Sequence, residues 1–192
     1  MTDEAPAPVR PLGSYRPYLR ALAGAQFPRQ LRGFLDPSDV VQKTLLRAHE
    51  KLALFQGTTT GELAAWLRRI LTNVLTDELR RAAAAARDVA LEQSIGPAVE
   101  QSSARLEAWL AGDGASPSEQ AVRQEELLRL AEALAQLPED QRNALELQKL
   151  QGCSVEAIAR EMGRTKSAVG GLLRRGMRRL RELMQEGGSD DR

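Results

Sequence analysis

The sequence predicts an all-α chain of two small helical domains joined by a flexible linker. Three observations carry that expectation. Apolar residues recur at i, i+3, i+4 and i+7 in several separate segments, the spacing of one buried helix face. No segment alternates polar and apolar residues as a half-buried strand would. Between the helical halves, Gly96-Pro97, Gln101-Ser102-Ser103 and the run from Gly112 to Pro117 dissolve the periodicity. A length of 192 residues suits one domain or two small ones.

Residues 1–13, with three prolines by position 11, read as a disordered tail ahead of a first domain at 14–86. Its opening helix is weakly patterned through Tyr15, Tyr18, Leu19 and Leu22 and ends in a loop at Gly33. Asp36-Pro37 is a helix start, Asp36 as N-cap and Pro37 in the first helical position. Val40, Val41, Leu45, Leu46, Ala48, Leu52 and Phe55 supply that helix's apolar stripe. The small polar loop QGTTTG, residues 56–61, leads to a helix over 62–86. Leu63, Trp66, Leu67, Ile70, Val74, Leu75 and Leu79 point inward there, so Trp66 reads as core and not as a stacking platform. Residues 87–117 read as a linker, acidic on balance, with a short helix around 106–110.

A second domain is expected over 118–186, followed by a short disordered tail at 187–192. Pro117-Ser118 and Leu137-Pro138-Glu139 each start a helix. Leu127, Leu128, Leu130, Ala131 and Leu134 make the first of these amphipathic, and Ala144, Leu145, Leu147 and Leu150 the second. Ser154 caps a third helix with Val155, Ile158, Ala159 and Met162 on its buried face, and Gly163 breaks it. A last helix carries Val169, Leu172, Leu173, Gly176, Met177, Leu180, Leu183 and Met184 as one stripe. Ser167, Gly171, Arg174 and Arg178 lie opposite, flanked by Arg175, Arg179 and Arg181. Two short helices meeting at a glycine turn, the second basic, form the helix-turn-helix pattern, whose second helix enters the DNA major groove. Arginine suits that place because its planar fork pairs with phosphate or a guanine edge. The competing reading is a plain helical hairpin with a solvated basic face.

Lys and Arg total 27 and Asp and Glu 26, so the net charge of +1 says little about nucleic acid. The distribution says more: basic residues crowd the last helix, and acidic ones gather between Asp88 and Glu126. Aromatics at 4% leave little for a base-stacking RNA platform. The single cysteine, Cys153, excludes an internal disulfide and a thiolate metal cluster, and the single His49 cannot build a site alone. No catalytic residue set, metal site or cofactor site is expected, which disfavours an enzyme. No signal peptide or membrane-length apolar run occurs, so a cytoplasmic protein without membrane insertion is expected.

Three motifs in order resemble the extracytoplasmic-function branch of the sigma-70 family of bacterial RNA polymerase sigma factors. Asp39-Val40-Val41-Gln42 looks like the family's D-x-V-Q clamp helix. Trp66-Leu67-Arg68-Arg69-Ile70 with Asn73, Asp77 and Arg80-Arg81 is similar to its minus-10 helix. Leu137-Pro138-Glu139-Asp140-Gln141-Arg142 and the helix-turn-helix resemble its minus-35 domain. The resemblance implies a sigma factor that binds core RNA polymerase through the β′ clamp and β flap and directs transcription initiation at promoter DNA. It implies polymerase contacts at Asp39, Gln42, Lys43 and Arg47, and minus-10 contacts at Gln56, Thr58, Asn73, Asp77, Arg80 and Arg81. Minus-35 contacts are implied at Thr165, Lys166, Ser167, Ala168, Gly171, Arg174, Arg175 and Arg178. A separate anti-sigma factor is a further candidate partner.

Two positions depart from the family pattern. Lys43 stands where the family usually has Glu, and Gly170-Gly171 where Lys-Ser is common. The glycines either weaken the helix locally or open room for close approach to DNA. The competing functions are a dimeric helix-turn-helix regulator acting without polymerase, and a helical adaptor that sequesters a partner.

Overall fold

A 3-10 turn at Leu12–Tyr15 runs directly into α1 (Arg16–Gly24), the first helix of the computed structural model. Residues 10–26, 36–86, 95–110 and 119–186 are described. Among them are eight α-helices and no strand. Of the expected tail at 1–13, residues 1–9 lie outside the described residues, as do 187–192, the loop at Gly33 and the helix-start pair Pro117-Ser118, while Leu12 and Gly13 already belong to the 3-10 turn.

Local chemistry sets several helix boundaries. α2 (Pro37–Glu50) begins on Asp36, whose side chain accepts the Ser38 N–H at 2.8 Å. A 3-10 turn at Leu52–Leu54 and a loop then reach α3 (Thr60–Ala86). There Thr59 and Glu62 form a reciprocal capping box. Thr59 Oγ1 accepts from Glu62 N–H at 3.2 Å, and the Glu62 carboxylate accepts the Thr58 and Thr59 N–H groups at 2.9 and 3.0 Å. The Thr58 bond is the largest cause of the lowered Glu62 pKa. Gly57 precedes this box because a Cβ there would run into the Phe55 ring and lie 2.9 Å from Glu62 Cβ.

The C-terminal half holds α5 (Glu119–Ala135), α6 (Glu139–Lys149), α7 (Val155–Met162) and α8 (Lys166–Glu186). Ser154 caps α7 by accepting Ala157 N–H at 3.2 Å. Gly163 ends it with φ of 63°, a left-handed conformation that costs glycine nothing sterically. The apolar stripe of α5 is buried at Leu127, Leu128, Leu130, Ala131 and Leu134, and that of α6 at Ala144, Leu145 and Leu147.

One hydrophobic core runs from Tyr15 to Leu180, so the two domains pack against each other. α1 contacts α2, α3, α4 and α5, and its Tyr18, Leu19 and Leu22 are fully buried. Where the sequence suggests a linker with a helix only near 106–110, a 16-residue helix, α4 (Ile95–Leu110), packs against α1, α3, α5 and α6. Its apparent breakers are accommodated for identifiable reasons. Pro97 falls in the first turn, where N–H groups have no intrahelical acceptor. Ser102 and Ser103 are buried with hydroxyl partners on Gln26 and Tyr18, each at 2.9 Å.

Two expected core assignments change. In α2 the inner arc is Val40, Val41, Thr44, Leu45 and Ala48, while Leu46 is 56% exposed. Leu46 lies nearly opposite that arc at 100° per residue. Thr44 takes an inner place by donating its hydroxyl to Val40 O at 2.8 Å. In α3, Leu71 is buried, whereas Trp66 and Ile70 are half-buried. Trp66 packs on Phe55 with ring centroids 5.2 Å apart.

Gly176 seats α8 on α6: a Cβ there would lie 3.0 Å from Leu145 Cδ1 and 3.3 Å from Gln141 Cβ. Gly170 meets nothing within 4 Å. Thermal unfolding should separate the two. Gly170→Ala should raise stability by about 1 kcal/mol through helix propensity. Gly176→Val should lower it by roughly 1–3 kcal/mol through overpacking.

Candidate nucleic-acid interface

The helix-turn-helix is held from both sides of its turn. Arg164 donates to Asp140 Oδ2 of α6 at 2.5 Å, and Lys166 Nζ lies 2.8 Å from Glu156 of α7. The Lys166 hydrogen bond is the largest cause of the lowered Glu156 pKa. Thr165 Oγ1 accepts Ala168 N–H at 3.2 Å and so caps α8, leaving its O–H free to donate outward. Val169, Leu172, Leu173 and Leu180 face the core.

The opposite face of α8 exposes Ser167, Ala168, Arg174, Arg175 and Arg178, with Gly171 half-exposed among them. Arg179 pairs with Glu182 at 3.2 Å and Glu186 at 3.7 Å. Arg174, Arg175 and Arg178 have no ion-pair partner among the described residues. The Arg175 guanidinium folds back to 3.2 Å from where a Gly171 Cβ would sit. Six of the residues expected at the minus-35 element, Ser167, Ala168, Gly171, Arg174, Arg175 and Arg178, therefore lie along the outer side of α8, while Thr165 caps it and Lys166 pairs with Glu156 at the turn.

The other two expected sets meet along the α2–α3 seam. Asp39, Gln42 and Lys43 are exposed on α2 and Arg47 half-buried, while Gln56, Thr58, Asn73, Arg80 and Arg81 are exposed on the loop and α3. Arg47 donates from both terminal nitrogens to Asp77 Oδ2 at 3.1 Å. Lys43 Nζ lies 2.9 Å from Glu78 Oε2, and Arg81 Nη1 donates to Glu78 Oε1 at 2.6 Å. Arg16 donates to Gln42 Oε1 at 2.6 Å. Asp77 and Arg81 are thus tied to structural partners, while Asn73 and Arg80 face solvent.

Glu78 escapes a motif reading, yet it is only 8% exposed and is flanked by two cations. Its presence accounts for Lys43, whose charge is met within the fold. Leu46, 56% exposed, adds apolar surface beside Gln42 and Lys43 on α2, and Leu54, 75% exposed, lies in the turn after it. The helical wheel of α2 could have revealed Leu46, since Val40, Val41, Thr44, Leu45 and Ala48 already fill the inner arc.

His49 is exposed, and Cys153 is half-buried with its thiol pKa raised chiefly by burial. No group of His, Cys, Asp or Glu among the described residues could hold a metal ion. No helix among them is long and apolar enough to cross a membrane.

Known proteins match both halves in the same order. Residues 12–85 match Sigma-70 region 2 and residues 127–180 match Sigma-70, region 4. The ECF RNA polymerase sigma factor SigL of Mycobacterium tuberculosis is 32% identical over 148 residues, 77% of this chain and 74% of SigL. The chain belongs to the extracytoplasmic-function sigma factors. The same SigL match occurs in strains Erdman, CDC 1551 and H37Rv. Among solved structures, the sigma factor RpoE of Bartonella quintana, crystallised with the anti-sigma factor NepR, matches at 25% identity over 91% of this chain and 94% of RpoE, with a TM-score of 0.35. In this sigma factor the region 2 match covers α1 to α3, and the region 4 match runs from mid-α5 to Leu180 in α8. α4 falls between them.

The Lys43–Glu78 pair gives a direct test of the seam. Lys43→Glu should destabilise the protein by roughly 1–2 kcal/mol, because it sets a second carboxylate beside a buried one. Adding Glu78→Lys should recover part of that loss. Urea denaturation of both single variants and the double variant measures the coupling.

Proposed function

We propose that this sigma factor binds core RNA polymerase through the outer face of α2, meets the minus-10 element with the 56–61 loop and α3, and reads the minus-35 element with the N-terminal half of α8. Bearing membership of this family, it acts as a promoter-recognition subunit in transcription initiation and leaves the bond-forming chemistry to the polymerase. The observation that carries the reading is the pair of sigma-70 matches, region 2 then region 4, on one chain. That order favours a sigma factor over a dimeric regulator or an adaptor.

Each surface has a physical role in this reading. On α2, Leu46 provides an apolar centre among Asp39, Gln42, Lys43 and Arg47, the mixture that a specific protein interface favours. Asn73 and Arg80 are free to meet DNA, whereas Asp77 acts as a positioning residue by holding Arg47. Gln56 and Thr58 flank the place where an unstacked base would lodge. On α8, Arg174 reaches base edges, Arg175 and Arg178 meet phosphates, and Thr165 to Ala168 lie at the helix end that enters the groove first. A joined pair of readers raises the effective concentration of the second once the first has bound. An anti-sigma factor would regulate by competing for these same surfaces.

Sigma-free core polymerase mixed with the protein and a pool of host promoter fragments should yield specific transcripts only when both are present. Absence of both transcripts and co-elution with core would reject the reading. Within an active complex, Arg174→Ala should cost about 1–3 kcal/mol in promoter affinity and relax minus-35 specificity. Arg178→Ala should weaken binding evenly across sequences and reduce the salt slope by about one. Asn73→Ala with Arg80→Ala should reduce promoter opening, read as the permanganate reactivity of unpaired thymines.

A further inference from the structure

We propose that Glu78 is a positioning residue that keeps Arg81 engaged inside the fold, so that of the Arg80-Arg81 pair only Arg80 meets minus-10 DNA. The inference deepens the proposed function and rests on it for the DNA. The engagement of Arg81 is a property of the free chain.

Arg80 and Arg81 are adjacent and chemically identical, yet the helix sends them to different neighbours. At 100° per residue, Asn73 and Arg80 lie within about 20° of each other around α3. Arg81 sits about 80° from Asn73, and Glu78 about 60° beyond Arg81. Arg81 therefore stands at the border between the outward face and the seam with α2, and its long side chain can serve either. It turns to the seam, where Nη1 donates to Glu78 Oε1 at 2.6 Å. Arg80 is exposed and has no ion-pair partner among the described residues.

Burial of the acid decides which way Arg81 goes. An exposed Glu–Arg pair three residues apart contributes little and would yield to a phosphate. Glu78 is different, because it is only 8% exposed and has little water to replace a lost cation. Its two oxygens are divided between two partners. Lys43 Nζ lies 2.9 Å from Oε2 across the seam, and Arg81 takes Oε1. Moving Arg81 to DNA would strip Oε1 of a charge-assisted bond while the carboxylate stays buried. The neighbouring acid does not compete for Arg81, since Asp77 Oδ2 already accepts both terminal nitrogens of Arg47 at 3.1 Å. Arg47–Asp77 and Lys43–Glu78 thus join α2 to α3 as two rungs, and Arg81 completes the second.

The consequence is a limit on sequence-independent attraction. Each cation brought to a phosphate of duplex DNA releases counterions and steepens the salt dependence of binding by about 0.9. With Arg81 withheld, the pair contributes one such cation where its sequence offers two. Base contacts then carry a larger share of the binding free energy.

The test uses the full chain bound to core polymerase, with promoter-duplex affinity measured as a function of salt. Arg80→Ala should lessen the slope by about one, and Arg81→Ala should leave it as it was. Glu78→Gln removes the charge at nearly constant shape, so it should release Arg81 and steepen the slope by about one. Combining Glu78→Gln with Arg81→Ala should return the slope to its original value. A Glu78 that merely stabilised α3 would move the urea midpoint and leave the slope alone. The proposal is overturned by a reduced slope in Arg81→Ala, by an unreduced one in Arg80→Ala, or by no change in Glu78→Gln. A double variant as steep as Glu78→Gln would assign the gained contact to another cation, and would overturn it too.

A second measurement needs no polymerase. Phenylglyoxal, which condenses with guanidinium groups, should modify Arg81 of the free protein more slowly than Arg80, although both are exposed. Mass spectrometry reads the two rates, and the adjacent Arg80 serves as internal reference. Glu78→Gln should bring the rates together. Equal rates in the unaltered protein, or rates that stay apart in Glu78→Gln, would overturn the proposal. If core yields no transcripts with any form, the sigma-factor reading fails instead, while the labelling still decides whether Glu78 holds Arg81.

Discussion

α1 is too short to be stable by itself, and the arrangement of the other helices follows from how it is covered. A nine-residue helix is marginal in water, so tertiary burial must hold it. Tyr18, Leu19 and Leu22 of α1 and the preceding Tyr15 are fully buried, and the helices covering them come from both sides of α4. The two tyrosines let this face bury large rings and still bond across it. Tyr15 donates to Thr60 O at 3.4 Å, and Tyr18 to Ser103. Burial pushes the Tyr15 pKa up to about 12 and raises that of Tyr18. Both hydroxyls therefore remain neutral donors through the physiological range. For Tyr15 the linked stability is complete below pH 10, where the unfolded phenol begins to ionise, and is lost as pH rises toward 12.

Charge is divided between holding the fold and facing outward. Arg47 with Asp77, Lys43 and Arg81 with Glu78, and Arg164 with Asp140 join neighbouring elements. Exposed pairs of this kind contribute little individually, roughly 0–1 kcal/mol, so their value lies in fixing side-chain positions. Glu78 differs because it is buried and would be costly without its cations. With those acids committed, Arg174, Arg175 and Arg178 on one helix face have no ion-pair partner among the described residues. Their mutual repulsion costs tenths of a kcal/mol per pair and is relieved by a polyanion. The near-zero net charge conceals this division entirely.

What was legible in the sequence was mostly what neighbouring residues decide among themselves. Asp36-Pro37, Ser154 and Gly163 mark helix ends because their partners lie within a few residues. The stripe of α8 and its outward arginines follow from the 3.6-residue period. Reading failed where the partner is distant in sequence. Ser102-Ser103 looks like loop until Gln26 and Tyr18 supply hydrogen bonds from across the chain. Lys43 looks like a reversed interface charge until α3 brings Glu78 to it. Leu46 differs for another reason: it is apolar beside the inward Leu45, but its angle on the helix points it away from the inner arc, where Thr44 sits. The three sigma-like motifs survived these errors because each is set by helix-local spacing.

The polar character of α4 bears on how the whole chain can work. Two DNA readers joined by an unstructured chain would be free to separate but would lose entropy on every engagement. Two readers sealed by an extensive apolar interface would be preorganised but costly to part. This chain stands nearer the second limit, because one hydrophobic core is continuous from Tyr15 to Leu180 and α1 packs directly on α5, with α4 adding hydroxyl, guanidinium and backbone carbonyl bonds across it. Polar bonds also carry direction, so they fix which residues meet across the joint. The joint between the two domains is therefore specific in its geometry through α4 and held together chiefly by the shared apolar core.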